Sequence, residues 1–215
     1  MRETARRNSM GIGVQEVGVA ILAGGKSSRM GSDKGLVMLD GYPLVERIIR
    51  QISHLFEDIF IVTNKPEGYI QFGYPIVGDV IRDVGPLGGV YTALDYDKND
   101  YTLILSCDMP FVCQGILVYL LDIVEKYQAV VPRMDKLSHP EPLRALYRND
   151  CLKQIYNYLK TGGRKAIGFY DEIDVRYVER KEIEDIDPGA MSFFNANTPY
   201  DLVEAGRLTK YYPLI

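Results

Sequence analysis

Short, mainly apolar runs that alternate with helical patterns are the feature that most restricts how this chain folds. The runs are GVAILA (18–23), DIFIVT (58–63), YPIVGD (74–79), YTLILSC (101–107) and AVVP (129–132). Between these runs, apolar residues recur at helical spacing over residues 44–56. Helices that begin near glycine or proline are also indicated over residues 85–94 and 110–127. Strands that are apolar throughout are buried on both faces, as in parallel sheets. The alternation predicts an α/β fold with a mostly parallel central sheet and helices on both faces.

The rest of the chain continues the same domain with a less regular pattern. Segments 142–148 and 174–178 have strand character, 150–163 indicates a helix, and Thr198 before Pro199 indicates the start of a last helix. Neither an internal repeat nor a linker separates these segments. We therefore expect a single domain over residues 17–215, preceded by a flexible N-terminal arm at residues 1–16, which are polar and aperiodic.

Composition and charge argue against several classes of protein. The 215 residues are 47% hydrophobic, enough to bury one sizeable core. The formal net charge of −4 argues against an extended nucleic-acid surface, which is normally basic. Three cysteines without CxxC spacing and two histidines indicate neither a disulfide framework nor a zinc site. Because no apolar run reaches membrane-spanning length and no signal peptide is recognisable, we expect a cytoplasmic protein without membrane contact.

The loop after the first strand, GGKSSRMGSDK (24–34), is rich in glycine and in cations. Its Gly25-Lys26-Ser27 matches the end of a Walker A loop, but position 20 is alanine where that loop needs glycine. Glycine lets backbone N–H groups turn toward an anion, while arginine and lysine bind phosphate oxygens. Ligands of open parallel sheets bind beyond the carboxyl ends of the strands. The loop therefore predicts a phosphate site, with a solvated surface loop as the alternative.

Acidic and amide side chains follow other strands. Asp108 comes directly after the most apolar strand, where a carboxylate can hold Mg²⁺ together with substrate phosphates. Asp79 follows another strand and can bind a nucleobase or a ribose, or can start a turn. Asn195 and Asn197 are two residues apart, so in an extended segment their side chains face the same side. They can lie near the metal or bind a second phosphate, or they can only shape the turn into the last helix. With the cationic loop, Asp108 predicts the two halves of a nucleoside triphosphate site.

Several of these segments resemble one family of nucleotidyltransferases. LAGGKSSRMGSDK (22–34) is similar to the loop LAGGxSxRMGxDK of enzymes with a molybdopterin-type acceptor. GPLGGVYTAL, CDMPF, PLRALY and FFNANTPYDL follow in the order typical of the molybdenum cofactor guanylyltransferase family, so the resemblance runs from about residue 17 to 206. It implies a Rossmann-like, three-layer nucleotidyltransferase fold. It also implies Mg²⁺-dependent transfer of GMP from GTP to molybdenum-molybdopterin with release of pyrophosphate.

The resemblance also implies roles for single residues. The implied nucleotide-binding residues are Leu22, Ala23, Gly24, Gly25, Lys34, Asn64, Asp79 and Asp108. Asn195 and Asn197 would bind the acceptor, and Asp108 would hold the metal. The implied catalytic residues are Arg29, Lys34 and Asp108. Because the acceptor is bulky and reactive, we also expect transient contact with other cofactor-biosynthesis proteins or with apo-molybdoenzymes.

The expected reaction needs charge compensation rather than a strong general base. The acceptor's phosphate oxygen is already largely deprotonated at neutral pH, and it would attack the α-phosphorus of GTP directly. Two unit charges 4 Å apart repel by about 4 kcal/mol at an effective dielectric of about 20, and the cations and the metal would offset this repulsion. One alternative is a cytidylyltransferase of the same fold that acts on molybdopterin or on a sugar or alcohol phosphate. Another is a non-catalytic GTP-binding module.

Overall fold

The computed structural model describes residues 11–24, 33–135, 140–212 and 214. Its strands are β1 (Val17–Leu22), β2 (Met38–Leu39), β3 (Tyr42–Pro43), β4 (Ile59–Val62), β5 (Ile76–Val77), β6 (Tyr101–Ser106), β7 (Ala129–Arg133), β8 (Arg144–Arg148) and β9 (Val175–Glu179). Its α-helices are α1 (Leu44–Ile52), α2 (Pro86–Tyr96), α3 (Gln114–Asp122), α4 (Leu152–Lys160), α5 (Arg180–Glu184) and α6 (Pro199–Leu208). None of the helices in the described part of the chain has the length and apolar character that a membrane span requires.

Seven of these strands form one sheet in the order β5-β4-β1-β6-β8-β7-β9. β1 pairs in parallel with β4 and β6, β4 pairs in parallel with β5, and β7 pairs in parallel with β9. β8 is inserted between β6 and β7 and runs antiparallel to both. The remaining strands, β2 and β3, form a separate antiparallel hairpin. The mostly parallel central sheet predicted from the sequence is confirmed.

The two faces of the sheet are covered by different helices. Every residue of β1 is buried, and successive side chains of a strand point to opposite faces. Val19 and Ile21 belong to a core that includes residues of α1 and α3. Ala20 and Leu22 belong to a second core that includes residues of α2 and α4. Helices therefore cover both faces, which confirms the Rossmann-like, three-layer arrangement.

The winding of the chain changes direction at β1. The connection through α1 leads from β1 to β4 on one side, whereas the connection through α2 leads from β5 to β6 on the other side. Open sheets bind ligands at such a point, beyond the carboxyl ends of the strands. Leu22 at the end of β1 is paired with Ser106 at the end of β6, so the residues that follow both strands emerge side by side. We call the ends of β5, β4, β1 and β6 the carboxyl edge.

The helix predicted at 110–127 is shorter in the structure, because α3 begins only at Gln114 and ends at Asp122. The backbone before it is extended and is bonded to buried side chains instead of forming a helical turn. Gln51 Nε2 donates to the Pro110 carbonyl at 2.9 Å, and Arg144 donates to two carbonyls of the same segment. Pro110 therefore lies within the loop between β6 and α3 and does not begin a helix.

Residues 11–16 of the predicted N-terminal arm lie against the domain. The Ile12 N–H donates to the Leu121 carbonyl at 3.2 Å, and Ile12 and Val14 pack against the core that contains α3. Residues 1–10 of the arm lie outside the described residues. The division of the chain at residue 17 stays a prediction.

Candidate functional site

The loop after β1 and the loop after β6 meet at the carboxyl edge. Lys34 Nζ lies 3.5 Å from Asp108 Oδ2, with 18% of the lysine side chain and 24% of the aspartate side chain exposed. The Cys107 N–H donates to the Leu22 carbonyl at 3.1 Å, so the pairing of β1 with β6 continues until the two loops diverge. The cation and the carboxylate that the sequence places after two separate strands therefore share one site.

One oxygen of the Asp108 carboxylate is left for a ligand. Oδ1 is buried and has no hydrogen-bond partner among the described residues. A buried, unpaired carboxylate oxygen costs free energy, which a bound cation removes. The described chain contains no group of three or more His, Cys, Asp or Glu side chains arranged around a metal. A divalent ion at Oδ1 would therefore take its other ligands from water and phosphate, the donor set that Mg²⁺ commonly uses in proteins.

Lys34 also contacts the segment that precedes α6. Its ammonium group donates to Asn197 Oδ1. The N–H groups of Asn197 and Thr198 donate to Asp201 Oδ2 at 2.9 and 2.7 Å, and Thr198 Oγ1 accepts from the Asp201 N–H at 3.2 Å. This reciprocal capping, which Thr198 predicts, fixes the N-terminus of α6 and so holds Asn197 beside Lys34.

Asn195 lies on the same segment, two residues before Asn197. The intervening Ala196 is buried, and its N–H donates to the Asp108 carbonyl at 2.7 Å. This bond ties the asparagine segment directly to the loop after β6. Asn195 Nδ2 donates to the Phe193 carbonyl at 3.4 Å, a contact within its own segment. The structure thus brings Asn197 to Lys34, whereas the contacts of Asn195 leave its predicted acceptor role as a prediction.

Asn64 and Asp79 form a pair farther along the carboxyl edge. They follow β4 and β5, and Asn64 Nδ2 donates to Asp79 Oδ2 at 2.7 Å. Asn64 Oδ1 in turn accepts from the Asp79 N–H at 2.9 Å. These two residues of the predicted nucleotide-binding set are therefore bonded to each other, and the amide of Asn64 orients the carboxylate of Asp79.

The backbone at the end of β1 is open on the ligand side. Leu22 and Ala23 are buried, whereas Gly24 is exposed, and a Cβ atom built on Gly24 would meet no atom of the described residues within 4 Å, its chain neighbours aside. A nucleotide can therefore approach this backbone closely, as the glycine predicts. Gly25 and Arg29, which complete the predicted nucleotide-binding and catalytic sets, lie outside the described residues.

Tyr69 ties together the two ends of the cationic loop and carries no signal in the sequence. It is fully buried, and its hydroxyl donates to Asp33 Oδ1 at 2.5 Å and lies 3.2 Å from the Ala23 carbonyl. Burial, and then the hydrogen bond to Asp33, raise the pKa of Tyr69 far above its ordinary value. The hydroxyl therefore remains a proton donor at every working pH.

Arg144 lies beneath the loop that carries Asp108. It is fully buried, and it donates from Nη1 to the Phe111 carbonyl at 3.0 Å and from Nη2 to the Met109 carbonyl at 2.5 Å. Burial lowers the pKa of Arg144 to about 10, although nearby carboxylates, Asp108 first among them, act in the opposite direction. A signal for this residue was present in the sequence, because Arg144 is a charge within a short apolar strand.

A groove of about 440 Å³ lies beside the β2–β3 hairpin, apart from these residues. Its lining is Asp40, Tyr42, Arg47, Thr209, Lys210 and Leu214. Arg47 is buried there, and its Nη1 donates to the Leu39 carbonyl at 3.4 Å. Because this arginine supports the hairpin, we place the functional site at the carboxyl edge and not in this groove.

Several known proteins are similar to this chain in sequence and in fold. The chain matches the family described as "MobA-like NTP transferase domain" over residues 19–174. It is 34% identical over 192 residues to a probable molybdenum cofactor guanylyltransferase of Pelotomaculum thermopropionicum, covering 89% of this chain and 92% of the relative. It is 35% identical over 196 residues to the molybdenum cofactor guanylyltransferase of Vibrio cholerae, covering 87% and 90% of the two chains.

Two solved structures extend the similarity to the fold. The crystal structure of molybdopterin-guanine dinucleotide biosynthesis protein A from Archaeoglobus fulgidus superposes with a TM-score of 0.78 at 28% identity, covering 90% of this chain and 98% of that one. The 2-C-methyl-D-erythritol 4-phosphate cytidylyltransferase of Thermus thermophilus superposes with a TM-score of 0.65 at 16% identity, covering 89% and 98%, and shares the fold alone. From the family match and the relatives that are more than 30% identical over most of its length, the chain belongs to the MobA-like NTP transferase family.

Proposed function

We propose that this chain transfers GMP from GTP to molybdenum-molybdopterin, releasing pyrophosphate and forming the guanine dinucleotide cofactor. The names of its relatives support the substrates, and the family supports the nucleotidyl transfer. The observation that carries the proposal is the 3.5 Å approach of Lys34 Nζ to Asp108 Oδ2. It joins the phosphate-binding half and the metal-binding half of the site at the carboxyl edge.

The open backbone at the end of β1 binds the nucleotide in this proposal. Leu22, Ala23 and Gly24 offer main-chain groups beside Lys34, whose ammonium neutralises phosphate oxygens. Gly25 and Arg29 contribute further backbone and cationic contacts by resemblance to the family's loop. The pair of Asn64 and Asp79, which follows β4 and β5 at the same edge, would bind the nucleoside end of the ligand.

Asp108 holds Mg²⁺ in this proposal through its unpaired Oδ1. When bound there, Mg²⁺ supplies positive charge that polarises the phosphate and stabilises the charge developing on its oxygens. Lys34 remains on Oδ2, so that the carboxylate connects both positive charges. Asn197, which accepts a hydrogen bond from Lys34, and Asn195, two residues before it, would bind the acceptor in this proposal.

The chemistry requires positioning and charge compensation from the protein. An acceptor phosphate oxygen forms a bond to the α-phosphorus of GTP, and the bond from that phosphorus to the bridging oxygen of pyrophosphate breaks. No proton needs to be removed from an acceptor that is already a dianion, so the site needs no histidine. Lys34 reduces the repulsion between the two anions, which for unit charges 4 Å apart is about 4 kcal/mol at an effective dielectric of about 20.

The choice of base and the cellular setting are further parts of the proposal. Similar folds occur among cytidylyltransferases, so the fold does not select guanine, and the named relatives are what support GTP. Delivery of a bulky, reactive acceptor is consistent with transient contact with other cofactor-biosynthesis proteins or apo-molybdoenzymes. A cytoplasmic location without nucleic-acid or membrane partners stays a prediction.

A pyrophosphate-release assay with GTP, CTP or ATP, with and without molybdenum-molybdopterin, tests the proposal. We expect release only with GTP and acceptor together. Asp108→Ala should lower turnover by about 10²–10³-fold or more, the usual effect of removing one preorganised electrostatic contact at a reacting centre. Asp95→Ala, which removes an exposed carboxylate on α2, is the matched control and should retain normal turnover.

Three results would contradict the proposal or a part of it. Release with CTP in preference to GTP would assign the chain to cytidylyl transfer. Tight GTP binding without pyrophosphate release under any condition would make it a binding module. Near-normal turnover of Asp108→Ala at saturating GTP and Mg²⁺ would remove Asp108 from the metal site.

A further inference from the structure

We propose that Arg144 is a positioning residue that holds the Asp108 loop in its metal-binding conformation and fixes it to the asparagine segment. The inference rests on the proposed role of Asp108 as the metal ligand. Arg144 itself does not touch a substrate or a metal in this proposal. It acts through the backbone on either side of Pro110.

Both hydrogen bonds that the structure describes for the Arg144 side chain are directed at one loop. Its guanidinium donates to the carbonyls of Met109 and Phe111, at 2.5 and 3.0 Å, and so binds the backbone directly after Asp108. Arg144 is paired with Leu105 in the antiparallel register of β8 and β6, which places it beneath the end of β6. A planar guanidinium can hold two carbonyls at once, whereas a lysine ammonium is a point charge. Arg144 therefore holds the carbonyls on either side of Pro110, whose own carbonyl accepts from Gln51 Nε2.

The same loop is held from the other side by the C-terminal part of the chain. The ring of Phe111 lies 5.2 Å from that of Tyr212 and 6.2 Å from that of Phe194. The Tyr212 hydroxyl donates to Asp187 Oδ1 at 2.5 Å, and Asp187 Oδ2 accepts from the Ser192 N–H at 2.9 Å. Phe111 therefore packs against Phe194, which directly precedes Asn195, and against Tyr212 near the C-terminus.

Charge links these two sets of contacts. Asp187 is 2% exposed, and its negative charge acts on the buried guanidinium, as the charges of Asp108 and Glu141 do. The Arg144 cation also lies 5.9 Å from the centre of the Phe193 ring. A buried cation is costly unless it is bonded and compensated, and here both the carbonyls and the carboxylates compensate it. The cation therefore joins the metal loop, through Asp187, to the segment that carries Asn195 and Asn197.

An apolar residue at position 144 would suit the strand but not the loop. An apolar side chain would leave the carbonyls of Met109 and Phe111 without their donors. Moving these carbonyls toward water would then lower the free energy of the loop. Such a movement would displace Asp108, the residue directly before Met109. We therefore expect substitutions of Arg144 to weaken metal binding more than they weaken GTP binding at the end of β1.

The test measures Mn²⁺ binding in place of turnover. Mn²⁺ affinity is determined by electron paramagnetic resonance in the presence of GTP with a methylene group between the α- and β-phosphates, which cannot release pyrophosphate. The variants are Arg144→Met, Arg144→Lys and Asp108→Ala. Arg47→Met is the matched control, because Arg47 is also buried, also has an unpartnered Nε among the described residues, and supports the β2–β3 hairpin instead.

We expect Arg144→Met to weaken Mn²⁺ binding about 10–100-fold, the usual effect of removing a partner behind a metal ligand. Arg144→Lys should lie between Arg144→Met and the unsubstituted protein, because an ammonium keeps the positive charge but lacks the planar fork of donors that holds both carbonyls. Arg47→Met should lower the thermal midpoint without changing Mn²⁺ affinity. Turnover of Arg144→Lys should rise when Mg²⁺ is increased, which a general loss of folding would not permit.

The outcomes separate the two proposals. If Asp108→Ala binds Mn²⁺ normally, the proposed function of that carboxylate fails. If Asp108→Ala loses Mn²⁺ while folded Arg144 variants retain it, only the role of Arg144 is overturned. Should Arg144→Met not fold, Arg144→Lys decides, and an Mn²⁺ affinity equal to that of the unsubstituted protein would overturn the inference.

Discussion

Tyr69→Phe removes one oxygen atom and with it the tie between the two ends of the cationic loop. The hydroxyl donates to Asp33 Oδ1, which precedes Lys34, and lies close to the Ala23 carbonyl at the end of β1. One proton serves both acceptors, and the shorter, charged contact at 2.5 Å takes it. The substitution leaves the ring in place, so it tests the bond without opening a cavity.

The structure gives the expected size of the effect. A hydrogen bond to a charged group contributes about 1.5–3 kcal/mol, and half-burial of Asp33 allows water to replace part of it, which leaves about 1–2 kcal/mol. For a domain of this size, that loss corresponds to a fall in thermal midpoint of about 2–8 °C. If the tie also preorganises Lys34, GTP affinity should fall by about tenfold, since tenfold corresponds to about 1.4 kcal/mol.

Calorimetric titration with GTP and thermal unfolding measure the two effects on the same preparation. Tyr119→Phe is the matched control, because Tyr119 on α3 also donates to a carboxylate, Glu182 Oε1, at 2.7 Å. It should lose stability while GTP affinity stays unchanged. Because burial and the bond to Asp33 raise the pKa of Tyr69, the difference between Tyr69→Phe and the unsubstituted protein should not vary between about pH 6 and pH 9.

The reasoning is refuted if Tyr69→Phe binds GTP as tightly as the unsubstituted protein and unfolds at the same temperature. Equal losses of GTP affinity in Tyr69→Phe and Tyr119→Phe would also refute it, because the effect would then be general. A loss of stability alone would show that the tie supports the fold but not the nucleotide loop.

Two further predictions concern stability away from the carboxyl edge. Gly18→Ala should cost about 1–3 kcal/mol in denaturant unfolding with GTP affinity unchanged, because the new Cβ would overlap the Asp97 carboxylate. Burial alone would raise the pKa of Glu182, but hydrogen bonds, including those from Arg176 and Tyr119, lower it. A carboxylate with a lowered pKa stabilises the fold above its unfolded pKa of about 4.3 and loses that contribution as pH falls further. Glu182→Gln should therefore lower the thermal midpoint at pH 7, with the difference narrowing below about pH 4.

The fold was largely predictable because its central strands are buried on both faces. β1 and β6 are continuous apolar runs, and that pattern alone specifies a strand covered by helices on both sides. The position and direction of β8 were not predictable. Its sequence, RALYR, has strand character whichever way it runs, and only packing places it antiparallel between β6 and β7.

The residues of the candidate site likewise divide into those that the sequence could predict and those that it could not. Lys34 and Asp108 follow the ends of strands, so the rule for open sheets was sufficient to bring them together. Tyr69 lies in a connection of short helical turns, 46 residues after Ala23, and no local pattern pairs a tyrosine hydroxyl with a distant backbone carbonyl. Arg144 bonds Met109 across 35 residues, and the partners of a charge within an apolar strand follow only from the register of β8.

The arrangement at Asp108 explains how an acidic chain can bind two polyanions. The net charge of −4 is spread over the whole surface, where charges more than about 8–10 Å apart are largely screened by salt. Lys34 and Asp108 are mostly shielded from water, so their charges act at close range and with less screening. Lys34 occupies Oδ2 while Oδ1 has no partner among the described residues, so a cation can bind the carboxylate without displacing the lysine. With the proposed metal bound, the same acid would hold two positive charges together, and the local charge at the site would override the sign of the net charge.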